Sequence, residues 1–135
     1  MKTHVKRVPT LAVLSSLLIA AVFATAALAA KDPFKGVWTS TDIDGSSQRL
    51  TVGGGPAGSY HVRFYDDGAT VCDPGLTLAA SAKGSLTAAG NVLSGVLPVY
   101  CLASPPYSWG DTLFTYTYDA STDTLTDWLG VVWSR

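Results

Sequence analysis

Phe34-Lys35-Gly36-Val37-Trp38 and Val131-Val132-Trp133-Ser134-Arg135 are the two stretches whose reading decides the fold. Between them the chain is a succession of short runs rich in Val, Thr, Tyr, Phe and Trp, punctuated by Gly, Asp, Asn and Pro at short intervals, the pattern of strands joined by turns. Glu is absent, and apolar residues at helical spacing are scarce. The expectation is an all-β domain in which the two quoted stretches lie side by side and close a small barrel.

Outward from those ends, the first structural question is where the domain begins. Lys2, Lys6 and Arg7 precede an apolar run from Leu11 to Ala27, which ends in Ala27-Leu28-Ala29, a small-x-small processing signal. This order of charge, apolar run and small residues is that of a secretory signal peptide, expected over residues 1–29. The run approaches the length of a bilayer span, but alanines dominate its end and no basic stop-transfer cluster follows. Residues 30–135 are then expected to form a single β-barrel domain, secreted or periplasmic, with no membrane attachment after cleavage.

Charge and cysteine content narrow the function. All ten acids are aspartates lying beyond the leader, whereas three of the nine Lys and Arg residues belong to it. The mature domain is therefore mildly acidic, which speaks against nucleic acid or anionic lipid as a partner, since both need clustered cations. Cys72 and Cys101 are the only cysteines, and in an oxidising compartment a lone pair is expected to form one disulfide.

In chain order, strands are expected over residues 36–43, 48–52, 59–65, 69–72, 76–82, 92–101, 112–118 and 124–133. Asp44-Gly45 reads as a hairpin turn, because glycine tolerates the positive φ of a tight primed turn. Tyr60, Val62 and Phe64 alternate with His61, Arg63 and Tyr65, an inner face against an outer one. Lys83-Gly84 reads as a bend or bulge within a strand, and Pro98, without a donor, calls for a bulge or an unpaired edge. Residues 102–111, with Pro105-Pro106-Tyr107-Ser108-Trp109-Gly110, read as the longest irregular connection. Leu125, Asp127, Leu129, Val131 and Trp133 are expected to share a face, with Trp128 turned outward. About eight strands in simple succession predict an antiparallel up-and-down barrel, its interior holding side chains or one small ligand.

Gly36-Val37-Trp38 resembles the Gly-x-Trp signature of the calycin barrels, the lipocalins and avidins, and Arg135 resembles the basic residue that packs across that tryptophan. The resemblance covers the two ends and the strand count. It implies a structural closure by Gly36, Trp38 and Arg135, with the cation over the indole face. The domain is shorter than a lipocalin and lacks the helix that follows the barrel there. In length and single disulfide it is closer to avidin-like barrels and to small periplasmic protease inhibitors of the same shape.

Catalytic chemistry finds little support. His61 is the single histidine beyond the leader, and its alternation puts it on the outer face, away from any triad. One His and two paired Cys leave no ligand set for a metal. Asp42/Asp44, Asp66/Asp67 and Asp119/Asp123 are paired carboxylates, but they fall at turns, where water is expected to keep both members ionised. Asp42-x-Asp44-Gly45-Ser46 is similar to the opening of a calcium loop, yet Gly53 stands where the closing Glu belongs. What remains is non-enzymatic binding without a cofactor. Tyr107 and Trp109 offer rigid aromatic area at a barrel mouth or to a partner, and Tyr60, Phe114 and Tyr116 are candidate ligand contacts inside. The small inward positions Ser40, Ala80 and Gly95 leave room for a cavity, whereas Tyr60, Phe64, Phe114 and Tyr116 are large enough to fill it and leave a packed interior. The expected partner is a small apolar or aromatic ligand held inside. The alternative is a secreted protein, met by Lys31-Asp32-Pro33 or by residues 105–110, as in a protease or lysozyme inhibitor.

Overall fold

Alternating apolar and polar side chains bury one face of each strand, and with eight strands in a row the buried faces meet only if the sheet curls on itself. A computed structural model describes residues 31–75 and 78–135. It shows eight antiparallel strands in sequential order: β1 (Gly36–Thr41), β2 (Ser47–Gly54), β3 (Ser59–Asp66), β4 (Ala80–Ala89), β5 (Val92–Cys101), β6 (Tyr107–Asp119), β7 (Thr124–Asp127) and β8 (Val132–Trp133). A bridge between Thr39 and Ser134 brings β1 against the end of β8, so the sheet forms a nearly closed barrel. The expected leader lies outside the described residues, as do Leu76 and Thr77.

The inner face follows the expected alternation closely. Trp38, Leu50, Val52, Val62, Leu86, Leu93 and Leu125 are buried in one core, while His61, Arg63 and Tyr65 are exposed. The Asp44-Gly45 hairpin is present: the Gly45 N–H bonds to the Asp42 carbonyl at 2.9 Å, and Gly45 has φ 91°. Cys72 and Cys101 form the disulfide, which closes a span of 29 residues and restricts the unfolded chain by about 3–4 kcal/mol in the entropy model.

Four expectations about strands give way, one of them because the strand expected at 112–118 begins at Tyr107. Residues 69–72 are a turn, with the N–H groups of Cys72 and Asp73 both directed at the Ala69 carbonyl. β3 pairs directly with β4, which leaves no ladder for a strand between them. The strand expected at 76–82 instead begins at Ala80 and runs on through Lys83-Gly84 to Ala89. There the β4–β5 ladder opens between the pairs Ala82–Val99 and Thr87–Ser94, across from Pro98. Gly84 gives way to Leu97, whose Cδ2 lies 2.7 Å from where a Cβ would stand. The strand expected at 124–133 is split at residues 128–131, because the Asp127 carboxylate accepts the N–H groups of Leu129 and Val131 and turns the chain. Leu129 is consequently 47 % exposed rather than inward.

One end of the barrel is plugged. Trp38 is fully buried, with its Nε1–H bonded to the Phe34 carbonyl at 2.8 Å. Arg135 lies over its ring with Cζ 4.2 Å from the centroid. The guanidinium grips Asp123 through Nε at 3.2 Å and Nη2 at 2.6 Å, and donates from Nη1 to the Lys35 carbonyl at 2.6 Å. Gly36 admits this arrangement: it has φ 148°, and a Cβ there would meet Arg135 Cδ at 3.3 Å. Phe34, whose burial the sequence did not disclose, packs edge-on against Tyr60 and Tyr118. Asp32 holds the entry to β1 by accepting the N–H groups of Phe34 and Lys35 and the Tyr60 hydroxyl.

The hydrogen bonds from Arg135, with help from Tyr118 and Lys31, hold the Asp123 carboxyl at about 2. A depressed carboxylate contributes stability above its unfolded value near 4, which is lost as pH falls through the folded value. The clamp is therefore expected to persist at pH 4 and to weaken toward pH 2, a loss that Asp123→Asn abolishes in denaturant titrations across that range. Arg135→Ala, which removes the cation and its stem from the Trp38 face, is expected to cost about 2 kcal/mol at neutral pH, measured by the same titrations.

Candidate functional site

The other end of the barrel is open. Asp42 of the β1–β2 connection, residues 69–71 after β3, Trp109 near the start of β6, and Trp128 and Leu129 between β7 and β8 border a cavity of about 330 Å³, at the small end of the range for ligand pockets. Its inner wall is a chain of rings. Phe64 and Phe114 lie 5.3 Å apart, Phe64 and Trp133 6.1 Å, and the Tyr116 and Trp133 rings meet edge to face at 5.7 Å. Tyr116 and Trp133 are buried, so the wall is rigid core, whereas Trp109 and Trp128 at the rim are 48 % and 68 % exposed.

Two local irregularities bring those rim tryptophans to the mouth. The β5–β6 register shifts between Val99 and Tyr100: Val99 pairs with Gly110 and Tyr100 with Ser108, which leaves Trp109 without a partner. An extra residue of this kind re-aims a side chain, and here it puts Trp109 on the face that carries Phe114 and Tyr116. Tyr107 and Trp109 thus belong to β6 and not to an irregular connection. Trp128 stands in the turn made by the Asp127 carboxylate, facing outward as expected.

Polar groups complete the cavity. Asp42, Gln48, Asp66, Thr112 and Asp127 line it. Asp66 is buried and accepts from Gln48 Nε2 at 3.2 Å and from the Gly68 N–H at 3.1 Å, while Ser40 Oγ donates to Gln48 Oε1 at 3.0 Å. Asp127 Oδ2 accepts from Trp133 Nε1 at 3.2 Å. Asp42 accepts the Ile43 N–H at 2.7 Å. Burial pushes the Asp42 carboxyl up, as do the charges of Asp44, Asp66 and Asp127. The picture of turn carboxylates in open water is therefore corrected for Asp42 and Asp66, which face the barrel interior. Burial also pushes the Tyr116 hydroxyl up, as does the Asp127 charge, so that it stays protonated. Thr112 Oγ1 is buried with no hydrogen-bond partner.

The candidate residues separate accordingly. Trp109, Phe114 and Tyr116 come together at the cavity, joined by Phe64. Tyr60 sits at the plugged end against Phe34, and Tyr107 donates its hydroxyl to the Cys72 carbonyl at 3.1 Å, bracing the β3–β4 connection. Lys31 and Asp32 are engaged at the plugged end, Lys31 with Asp123 and Asp32 with Lys35. His61 is exposed, its Nδ1 3.3 Å from Ser85 Oγ. Sequence reasoning set Asp127 and Trp133 on the inward face of the last strand without assigning them to a site, and missed Gln48 as a wall residue and Asp42 and Asp66 as cavity acids. The inward parity of Gln48 and Asp66, two residues from Leu50 and Phe64, was the available signal.

Comparison of the chain with protein-family models, with curated proteins and with solved structures gives no match.

The division between rigid wall and exposed rim has a direct consequence for stability. Trp128→Ala is expected to change the unfolding free energy by less than about 0.5 kcal/mol, as surface substitutions do. Tyr116→Ala, which empties a buried site, is expected to cost about 3–5 kcal/mol. Guanidinium denaturation of the two variants checks the contrast.

Proposed function

We propose that this chain is an exported, non-enzymatic calycin-like barrel that takes up a small apolar or aromatic ligand at its open end. The observation that carries the reading is the cavity walled by Phe64, Phe114, Tyr116 and Trp133 at the end opposite the Trp38 plug. Ring walls of this kind offer a ligand large apolar contact area without the entropy cost of ordering flexible side chains. The likeness to the calycins is supported by the placement of Arg135 over Trp38 beside Gly36. Export is supported by the Cys72–Cys101 disulfide. Among the described residues no helix is long and apolar enough to cross a membrane.

A second reading, a protein-binding module such as a protease or lysozyme inhibitor, is favoured by the exposed apolar residues around the mouth, Ile43, Val71, Trp109, Trp128 and Leu129. On that reading the rim, rather than the N-terminal segment, carries the contact, because Lys31 and Asp32 are engaged in holding the plug.

Native mass spectrometry of the protein recovered from its own export route separates the two. The ligand reading expects a discrete added mass that leaves on denaturation and is absent from a variant with the cavity filled by Ala80→Phe. A bare protein that also takes up no small hydrophobic compound under the same conditions would overturn it and leave the rim as a protein contact.

A further inference from the structure

We infer that the ligand of this cavity is a cation, an aromatic amine whose ring lies against Phe64 and Phe114 beneath the rim residues Trp109 and Trp128, and whose ammonium group faces Asp42. The inference rests on the ligand-binding reading above and narrows it to a chemical class.

The starting point is the balance of charge within the cavity. Among the described residues its wall includes Asp42, Asp66 and Asp127 and no Lys, Arg or His. The domain's bases are committed elsewhere. Lys31, Lys35 and Arg135 are in ion pairs at the plugged end, and Arg49, Arg63 and Lys83 are exposed on the outer face of β2, β3 and β4. An anionic ligand such as a fatty acid would bring a further negative charge into a partly enclosed site, where repulsion is screened less than in water. A neutral ligand fits the rings and leaves the acids unmatched. A cation answers both features, since the faces of Trp and Tyr rings attract positive charge, the more so when it is desolvated.

The three acids have different roles. Asp66 is held by Gln48 and Gly68, and Asp127 by Leu129, Val131 and Trp133, so these two are already supplied with donors. Asp42 receives the Ile43 N–H and keeps acceptor capacity at the mouth, since a carboxylate offers about four lone-pair sites. Its raised carboxyl reports burial and the repulsion of Asp44, Asp66 and Asp127, a penalty that an ammonium beside it relieves. Thr112 Oγ1, buried in the same wall without a partner, is a second unmatched polar atom of a kind that native interiors seldom leave.

A bare metal ion does not suit these acids. Among the described residues no group of three or more His, Cys, Asp or Glu side chains is arranged to hold one. Carboxylates spread around an aromatic cup match an organic ammonium, whose charge is compact and whose body is apolar. The cavity volume of about 330 Å³ sets the scale at a single-ring or fused two-ring amine.

The test is isothermal titration of the intact, disulfide-bonded protein with three probes of one shape: phenethylamine, 2-phenylethanol and 3-phenylpropionate. Phenethylamine is expected to bind roughly tenfold to a hundredfold more tightly than the alcohol, and the carboxylate most weakly. Asp42→Asn keeps the acceptor for Ile43 and is expected to remove most of the preference for the amine over the alcohol; an unchanged circular dichroism spectrum shows that the variant is folded, and a preference left intact overturns the role of Asp42. Equal affinity for amine and alcohol overturns the cationic ligand and leaves the apolar-ligand reading standing. Tightest binding by the carboxylate overturns the cationic ligand alone, and failure of all three probes to bind at millimolar concentration overturns both readings.

Discussion

The barrel depends on the grip of Arg135 on Trp38 and Asp123. β8 is two residues long and meets β1 through the single Thr39–Ser134 bridge, so backbone pairing alone gives the ring a weak seam. The Arg135 side chain spans that seam. Its stem and cation cover the Trp38 ring while its fork bonds Asp123 on the β6–β7 turn and the Lys35 carbonyl before β1. Planar donors in fixed geometry suit this task better than a lysine ammonium. Once the seam is held, Trp38, Phe34 and Tyr118 fill the end beneath it.

The plug and the mouth use the same residue types to opposite effect. At the plugged end acids are matched by bases: Asp123 meets Arg135 and Lys31, and Asp32 meets Lys35. At the mouth Asp42, Asp66 and Asp127 accept from neutral donors, backbone N–H groups of turns and the side chains of Gln48 and Trp133. Such donors support an ionised carboxylate without cancelling its charge, and the field of the acids is left directed into an aromatic cup. Charge is therefore distributed unevenly between the two ends of the barrel.

The mouth owes its shape to departures from regular pairing. Trp109 sits at the rim because a bulge on β6 reverses the alternation there. Trp128 and Leu129 stand clear because Asp127 captures two amides and breaks what would have been one long strand. The disulfide and the Tyr107 hydroxyl fasten the β3–β4 connection beside β5 and β6. Each device is local, yet together they determine which side chains the cavity presents.

The meeting of Gly36, Trp38 and Arg135 was implied by the resemblance to the calycin barrels alone. What the sequence by itself determined is whatever depends on near neighbours or on composition: period-two burial along β1, β2, β3 and β5, the hairpin at Asp44-Gly45, and the pairing of the two cysteines. These follow from side-chain alternation, the freedom of glycine and the presence of two cysteines alone. Only the tertiary structure decided the rest. Whether residues 69–72 pair depends on β3 and β4 meeting first. Whether Asp127 continues a strand or turns it depends on competition between its carboxylate and the ladder for the amides of Leu129 and Val131. And the gathering of Asp42, Asp66 and Asp127, far apart in sequence, at one electronegative mouth requires the sheet to close, because residues on separate strands share a cavity only after the barrel sets their heights around its axis.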